Sequence, residues 1–302
     1  MSSLSIVIPS WNTRELLRSC LLSLESSLPA SSEVIVIDNG STDGSAKMVA
    51  QDFQNVRLVR NTRNLGFTLA CNQGVSLARG NFILLLNSDT LVQGDALRRM
   101  LLFLECNPYY GACVPRLLNL DNSTQKSMQR LPNLWTPLFT GTPLERWFPN
   151  SAERRRYHAL DFNYERVGEV ENPPAVCLLL RKQALGDDKP LDEKLWLAFS
   201  DTDLSRRLWF GGWRIAYLPQ ARVQHFGGAS AAQMQDYEPN WQRNRLEYFR
   251  KHHGAFAGLW VKACMGLAVL DHSVRELWRR AHGDRDEDLK HVWAEFAAFL
   301  RH

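Results

Sequence analysis

Polar side chains that could bind a phosphorylated ligand stand at the ends of two apolar segments. Asp38 closes the apolar run 34–37, and Asn87-Ser88-Asp89 follows the run 82–86. A carboxylate at the first position can accept a hydrogen bond from a nucleobase N–H or a ribose hydroxyl. One at the second can hold a divalent cation against a diphosphate, because hard cations take oxygen ligands and keep substrate phosphates among them. Either residue alone is more typical of a helix N-cap.

The elements that must position these residues alternate in type along the first hundred residues. Apolar segments too short for helices are separated by segments with helix-period apolar positions, which favours a mostly parallel sheet and an α/β fold. Ligands of such sheets bind outside the carboxyl ends of the strands, where Asp38 and Asp89 stand. The predicted strands are 5–8, 34–37, 56–60 and 82–86, and the predicted helices are 13–26, 45–53 and 69–78.

The rest of the chain divides into two parts. Residues 115–174 are rich in Pro, Asn and Arg and are predicted as long loops over the binding edge, with room for short antiparallel strands. A strand is predicted over 175–181, and residues 203–209 are predicted to form the beginning of a helix. Beyond Gly228, helix-period apolar positions predict three helices, at 237–253, 255–270 and 286–300. The first strand turn lacks a glycine fingerprint and no GxxxxGK[ST] occurs, which disfavours dinucleotide-binding dehydrogenases and P-loop NTPases.

Composition sets further bounds. The 302 residues are 45% hydrophobic and 23% charged, as in an ordinary globular protein, with 36 basic and 32 acidic side chains. A net charge of +4 permits a phosphorylated ligand or an anionic membrane surface but does not argue for nucleic acid. The six cysteines form no CxxC pair, so we expect reduced thiols in a cytosol. We expect no secretory signal and no membrane-spanning run, and therefore a soluble or peripheral protein.

An ordered set of motifs resembles glycosyltransferase family 2 with the GT-A fold, and its rhamnosyltransferase-like branch. The resemblance covers about residues 4–230 and implies a catalytic domain 1–230, with a nucleotide-sugar half at about 1–115 and an acceptor half at about 116–230. Residues 231–302 would form a helical C-terminal extension. The motifs are Ile6-Val-Ile-Pro-Ser-Trp-Asn12, Val36-Ile-Asp-Asn-Gly-Ser-Thr-Asp-Gly44, Asn64-Leu-Gly-Phe67, Leu84-Leu-Leu-Asn-Ser-Asp89, Asp121-Asn-Ser-Thr-Gln125, Leu191-Asp-Glu193, Phe199-Ser-Asp-Thr-Asp203 and Val223-Gln-His-Phe-Gly227.

The resemblance implies a donor site for a dTDP- or UDP-sugar. Asp38 matches the residue that hydrogen-bonds the uracil or thymine ring, and Asn87-Ser-Asp89 matches the DxD motif, whose first position is Asn here. Asp89 would hold a divalent cation, Mn²⁺ or Mg²⁺, with His225 as a second ligand; a lone histidine is as often structural, and both interpretations stay open. The donor-binding residues implied are Pro9, Ser10, Asn12, Asp38, Asn64, Gly66, Asn72, Asn87, Ser88 and Asp89.

The same resemblance implies a catalytic base and an acceptor site. Asp201 matches the family's base, while Ser200 replaces the acid that usually precedes it. A carboxylate just before a helix would be held ionised by the helix N-terminus, which predicts a low pKa for Asp201. Asp201 and Asp203 together are also typical of a helix-capping pair. The implied acceptor-binding residues are Asp192, Glu193, Trp196 and Asp203.

We therefore predict an inverting, metal-dependent glycosyltransferase of bacterial cell-envelope glycan synthesis, with rhamnose the leading donor sugar. The acceptor would be a polysaccharide or lipid-linked glycan at the cytoplasmic side of the membrane. A catalytically impaired nucleotide-sugar- or glycan-binding protein is the alternative, and Asn87 and Ser200 support it. A sugar-phosphate nucleotidyltransferase would want a glycine-rich, basic first loop, which Pro9-Ser-Trp-Asn-Thr13 is not. The apolar, arginine-containing C-terminal helices predict docking to a membrane or partner, or packing on the catalytic domain.

Overall fold

The computed structural model describes residues 3–29, 31–186, 189–228, 237–282 and 289–301. Strands β1–β9 and helices α1–α12 are numbered along the chain. The strands are Leu4–Ser10, Ser32–Asp38, Val56–Arg60, Phe82–Leu86, Thr90–Gln93, Tyr110–Leu118, Gly168–Glu169, Cys177–Arg181 and Arg214–His225. The helices are Arg14–Glu25, Ser45–Asp52, Phe67–Leu77, Ala96–Cys106, Thr136–Phe139, Pro143–Trp147, Ala152–Tyr157, Lys182–Leu185, Ser200–Phe210, Tyr237–His253, Ala255–Ala281 and Leu289–Leu300.

The strands join in one sheet with the order β3-β2-β1-β4-β8-β6-β9-β5, and β7 pairs with β9. The β3-β2-β1-β4 part is parallel, as the alternation of strands and helices predicts. From β8 onward the sheet is mixed, because β8 runs antiparallel to both β4 and β6, and β5 runs antiparallel to β9. The α/β fold class is confirmed, with an antiparallel component in the second half of the sheet.

The central strands are buried on both faces because helices cover both sides of the sheet. On one face, Ile6 and Ile8 of β1 pack in a core with Leu17 of α1. On the other face, Val7 of β1 packs with Ala70 and neighbouring residues of α3. This burial explains why these strands are continuous apolar runs rather than alternating ones. It also fixes the carboxyl ends of β1, β2 and β4 beside one another.

The chain forms two compact units. The first comprises residues 1–129 and 162–235 and contains the whole sheet; the second comprises residues 130–161 and 236–302. Residues 130–161, which the sequence analysis assigns to loops of the acceptor half, form helices α5–α7 and group with α10–α12 instead. The proposed boundary at 230/231 and the first residues of the helix predicted at 286–300 lie outside the described residues. The functional division of the chain stays a prediction.

Helix α11 is longer and more apolar than the sequence analysis allows. It runs without a break over 27 residues, and an 18-residue window within it has a mean hydropathy of 1.2. By length and composition it could cross a membrane, so the expectation that no segment approaches a membrane-spanning length is wrong. The sequence pattern predicted a helix that ends at residue 270 and carries a charge, Lys262, in its middle, whereas the helix continues to Ala281.

Candidate active site

The carboxyl ends of β1, β2 and β4 are joined by short hydrogen bonds. Ser10 pairs with Asp38 in the parallel register of β1 and β2. The Ser10 and Thr13 hydroxyls are 3.0 Å apart, and the Thr13 and Ser88 hydroxyls 2.9 Å apart. Ser10, Thr13 and Ser88 are all buried. The structure therefore brings the predicted residues of the first, second and fourth strand ends into one edge.

Asp38 is buried with one carboxylate oxygen unused. Its Oδ2 accepts a hydrogen bond from the Ser41 amide at 3.3 Å, whereas its Oδ1 has no hydrogen-bond partner in the protein. A buried carboxyl oxygen without a donor is costly, so such an atom calls for a ligand N–H or a water. Asn12 holds the loop around it, because its amide donates to the Ser41 hydroxyl and its Oδ1 accepts from the Thr42 amide.

Asn39 is a buried hydrogen-bonding centre that the sequence analysis did not select. Its Nδ2 donates to Asn64 Oδ1 at 2.8 Å and to the Gly66 carbonyl at 3.2 Å. Its Oδ1 accepts from Asn61 Nδ2 at 3.0 Å and from the Leu65 amide at 3.1 Å. The Asn39 side chain thus ties the loop 61–66 to the end of β2. Its position directly after Asp38 was visible in the sequence, but nothing there signals these partners.

The loop at Gly66 packs directly against the predicted acceptor segment. Gly66 has φ +86°, and a Cβ there would lie 2.6 Å from Trp196 Cε3 and 2.9 Å from the Trp196 carbonyl oxygen. Two residues on, the Thr68 hydroxyl donates to the Leu195 carbonyl at 2.6 Å, and its amide donates to the Trp196 carbonyl at 3.3 Å. Gly66 is required here for both its backbone conformation and the close approach of Trp196.

Asn72 of α3 also forms hydrogen bonds to the predicted acceptor segment. Its Nδ2 donates to the Leu191 carbonyl at 2.8 Å and to Glu193 Oε1 at 3.2 Å, and its Oδ1 accepts from the Leu191 amide. Glu193 pairs with Lys189 at 2.7 Å, and this hydrogen bond lowers the pKa of Glu193. The Asp192 carboxylate accepts from the Lys194 amide. Asn72 and Asn64 are thus engaged within the protein, and Asn72 lies with the predicted acceptor residues.

Asp89 and His225 meet across the β5–β9 pairing. His225 Nε2 lies 3.5 Å from Asp89 Oδ1, and both side chains are largely buried. His225 Nδ1 lies 3.0 Å from Gln125 Oε1, an acceptor that favours a proton on Nδ1 and leaves the Nε2 lone pair facing Asp89. An imidazole nitrogen and a carboxylate oxygen this close could both contact one cation. No group of three or more His, Cys, Asp or Glu side chains arranged for a metal occurs among the residues described.

Backbone contacts connect Asp201 to the Asn87-Ser88-Asp89 segment. The Asn87 amide donates to the Val176 carbonyl at 2.9 Å, and the adjacent Ala175 amide donates to Asp201 Oδ2 at 3.4 Å. Asp201 Oδ1 also accepts from the Thr202 amide at 2.8 Å. Burial raises the pKa of Asp201 despite these hydrogen bonds. The prediction of a lowered pKa is therefore wrong, because loss of solvent outweighs the helix N-terminus.

Helix α9 begins at Ser200, so Asp201 lies inside its first turn rather than before it. The preceding residue, Phe199, is buried and has φ +61°, an uncommon conformation for an aromatic residue. Asp203 is fully buried, and its Oδ2 accepts from Arg207 Nε at 2.9 Å. Arg207 in turn donates to the Pro190 carbonyl. Asp203 thus joins α9 to the start of the loop 190–196, and the structure gives it no exposed surface for an acceptor.

The topology of the sheet and its likeness to a solved glycosyltransferase structure define the GT-A fold. The family model of glycosyl transferase family 2 matches residues 5–178. The chain belongs to that family, and the resemblance seen in its motifs is confirmed.

Individual relatives are more distant. The chain is 28% identical, over 68% of its length and 69% of the relative's, to N-acetylglucosaminyl-diphospho-decaprenol L-rhamnosyltransferase of Mycobacterium tuberculosis. It is 35% identical to poly(ribitol-phosphate) beta-glucosyltransferase of Bacillus spizizenii over 32% of this chain and 16% of that protein. Among solved structures, S. aureus TarS 1–349 in complex with UDP aligns with a TM-score of 0.55 at 16% identity, covering 99% of this chain and 70% of that one. At that identity the likeness concerns the fold.

Proposed function

We propose that this glycosyltransferase transfers a sugar from a dTDP- or UDP-sugar to an acceptor hydroxyl by a single inverting displacement. The observation that carries the proposal is the chain of contacts from Asn87 through Val176 and Ala175 to Asp201. It holds a carboxylate near the loop that would receive the donor's diphosphate. A reaction with one base on one side and the leaving group on the other inverts the anomeric centre.

The proposed donor contact is the buried, unpartnered Oδ1 of Asp38. A pyrimidine base with an N3–H would supply the missing donor, which uracil and thymine both have and cytosine lacks. The TarS neighbour crystallised with UDP and the mycobacterial rhamnosyltransferase are consistent with such a donor. Rhamnose remains the leading sugar because that relative shares more than two thirds of its length with this chain.

Asp89 and His225 are the residues that would hold a divalent cation, Mn²⁺ or Mg²⁺. Their oxygen and nitrogen atoms, 3.5 Å apart, are close enough that both could bind one cation, and the donor's diphosphate would supply further oxygen ligands. When bound, such a cation neutralises the charge of the departing diphosphate. Gln125 orients His225 through Nδ1, and Thr13 orients the Ser88 hydroxyl. Asn87 supplies an amide where many relatives would carry another carboxylate.

In the proposed reaction Asp201 removes the proton from the acceptor hydroxyl. The acceptor oxygen bonds to the anomeric carbon as the bond from that carbon to the diphosphate oxygen breaks, and the nucleoside diphosphate leaves. The raised pKa makes Asp201 a stronger base than an exposed aspartate while the Thr202 and Ala175 amides hold its orientation. Asp192, Glu193 and Trp196 are the residues proposed to contact the acceptor.

The acceptor proposed is a polysaccharide or a lipid-linked glycan of the cell envelope, used at the cytoplasmic face of the membrane. Its support is the mycobacterial relative, which is named for N-acetylglucosaminyl-diphospho-decaprenol, a sugar on a lipid diphosphate. A protein acting on such a substrate must work close to a bilayer. The enzyme is therefore proposed to be cytoplasmic and peripheral.

A panel of nucleotide sugars, read by nucleoside diphosphate release with Mn²⁺, Mg²⁺ or excess EDTA, tests the proposal. We expect release from a dTDP- or UDP-sugar that needs a divalent cation and is abolished in Asp89→Ala. Gln93→Ala, in the strand after this motif, is the matched control and should keep activity. Full activity in excess EDTA would refute the cation's role. Nucleotide-sugar binding by calorimetry without turnover, for every donor and acceptor tried, would favour the binding-protein alternative.

A further inference from the structure

The second unit carries most of the exposed apolar surface of the described chain. It holds about a third of the residues but fourteen of the twenty-one large hydrophobic side chains that are exposed. All five exposed tryptophans also belong to it, whereas the tryptophans described in the first unit are at least partly buried. Concentration of exposed aromatic side chains on one part of a molecule marks an interaction surface. The exposed tryptophans are Trp135, Trp147, Trp260, Trp278 and Trp293.

Much of this surface lies along one side of α11. Six large apolar side chains, each 53–87% exposed, fall within an arc of about 100° when 3.6 residues make one turn. The helix is about 40 Å long, at about 1.5 Å per residue. We name this feature the apolar stripe: Phe256, Leu259, Leu270, Val274, Leu277 and Trp278.

The neighbouring segment of the same unit extends the apolar stripe. Trp260 Nε1 donates to the Leu134 carbonyl at 2.7 Å, and Arg146 forms a bidentate pair with Asp271 at 2.8 and 3.1 Å. These contacts hold residues 134–147 against α11 at two points. Exposed Trp135 and Trp147 therefore lie alongside the helix. Tryptophan at such a border is typical of membrane interfaces, because its ring is apolar and its N–H polar.

We propose that the apolar stripe docks this glycosyltransferase on an anionic lipid surface, with α11 lying in the plane of the interface. A lipid-linked acceptor would be presented at that surface, and in this respect the inference deepens the proposed function and rests on it. Residues 130–161 and α11 together carry nine basic and five acidic side chains, which complements anionic headgroups. In a symmetric dimer the stripe would face its own copy, and the net positive charge of these residues would oppose the same charge on the partner.

The helix is suited to lie on a membrane rather than to cross it. Its other face is buried within the unit at Val261, Cys264 and Val269. Buried Ser273 accepts a hydrogen bond from Trp293 Nε1 at 3.0 Å, and buried Glu276 pairs with Arg280. A spanning orientation would strip these contacts and bring charged side chains into hydrocarbon. Lying in the interface keeps them and inserts the apolar stripe alone.

Flotation of the full chain with vesicles tests this inference. The vesicles are phosphatidylcholine alone, or phosphatidylcholine with about one third phosphatidylglycerol. We expect flotation with the anionic vesicles that weakens in high salt, and at least a tenfold weaker partitioning of Leu270→Glu/Trp278→Glu, since each side chain removed contributes substantial apolar area. Tyr109→Glu/Phe210→Glu changes two side chains of the first unit that are even more exposed, and this variant should float like the wild type.

Three results would overturn the inference. One is wild-type protein that stays at the bottom of the gradient with both vesicles. Another is a concentration-dependent dimer, seen by sedimentation, that Leu270→Glu converts to monomer. The third is equal loss of flotation in both double variants. Circular dichroism checks that each variant folds. Flotation requires no turnover, so an enzyme inactive with every donor would refute the proposed function and leave this inference standing.

Discussion

Replacing Asp201 by Asn should remove catalysis without weakening the fold. Removing a general base costs about 10²–10⁴-fold in rate, or about 3–6 kcal/mol of transition-state stabilisation at about 1.4 kcal/mol per tenfold. Asn can still accept the hydrogen bond from the Thr202 amide, made at 2.8 Å, and gives up only the longer one from the Ala175 amide at 3.4 Å. Donor affinity should stay near the wild-type value, because Asp38 and Asp89 lie on other loops. Nucleoside diphosphate release and calorimetry with the free nucleotide measure the two effects.

Because the pKa of Asp201 is raised, replacing it by Asn should also change how the stability of the protein depends on pH. The native state binds the proton of Asp201 more tightly than the unfolded chain does, so this residue lowers stability as pH rises from the unfolded pKa to the native one. Asn does not ionise and escapes that loss. The Tm of Asp201→Asn relative to wild type should therefore increase from about pH 4 upward and level off above the native pKa. The acid limb of the wild-type rate profile should appear near that native pKa.

Asp203→Asn is the matched control, two residues along the same helix. Asp203 is fully buried and paired with Arg207 at 2.9 Å, so removing its charge leaves the guanidinium without that ion pair. Breaking such a pair costs about 2–4 kcal/mol, discounted here because Arg207 is partly exposed. We expect Asp203→Asn to lower Tm and to affect turnover less than Asp201→Asn. Turnover of Asp201→Asn above about a tenth of wild type, or a loss of stability in Asp201→Asn alone, would refute this reasoning.

Three further predictions concern the donor edge and its contact with the acceptor segment. Asp38→Asn should weaken uridine or thymidine diphosphate binding about 10–100-fold with no loss of Tm, because Oδ1 has no partner within the protein; calorimetry and thermal melting measure both. Gly66→Ala should lower Tm and raise the acceptor KM more than the donor KM, because its Cβ would meet Trp196 at 2.6 Å, whereas equal changes in both KM values would contradict this. His225→Gln should raise the Mn²⁺ concentration needed for half-maximal turnover at least tenfold, and an unchanged requirement would remove His225 from the cation site.

The local sequence pattern was sufficient to predict the strands of the parallel part of the sheet. The runs 5–8, 34–37 and 82–86 are uniformly apolar because both of their faces are covered, and this state is itself visible in a sequence. The motifs also selected Asp89 and His225, 136 residues apart, which the β5–β9 register brings together. Whether they bind a cation stays a prediction. Two residues so far apart in the sequence could be assigned to one site only because the family resemblance matched both of them to the same cation.

Local sequence patterns could not predict long-range hydrogen bonds or the burial of individual side chains. The four hydrogen bonds of Asn39 depend on where the loop 61–66 returns, which no local spacing encodes. Residues 130–161 read as loops because their helices are only four to six residues long, too short for a periodic signal. The pKa of Asp201 was predicted in the wrong direction because the helix N-terminus is visible in sequence whereas the loss of solvent is not.

The burial of Ser200 gives a physical reason for a serine at the position where the family resemblance implies an acid before the proposed base. It is the first residue of α9 and is only 2% exposed. A carboxylate at this position would be buried one residue from Asp201, whose own pKa burial already raises. Two such charges would oppose each other in a poorly solvated place, and one would stay protonated. Serine avoids that competition, so Asp201, the proposed base, has no acidic residue directly before it, while the other carboxylate of the first turn, Asp203, is paired with Arg207.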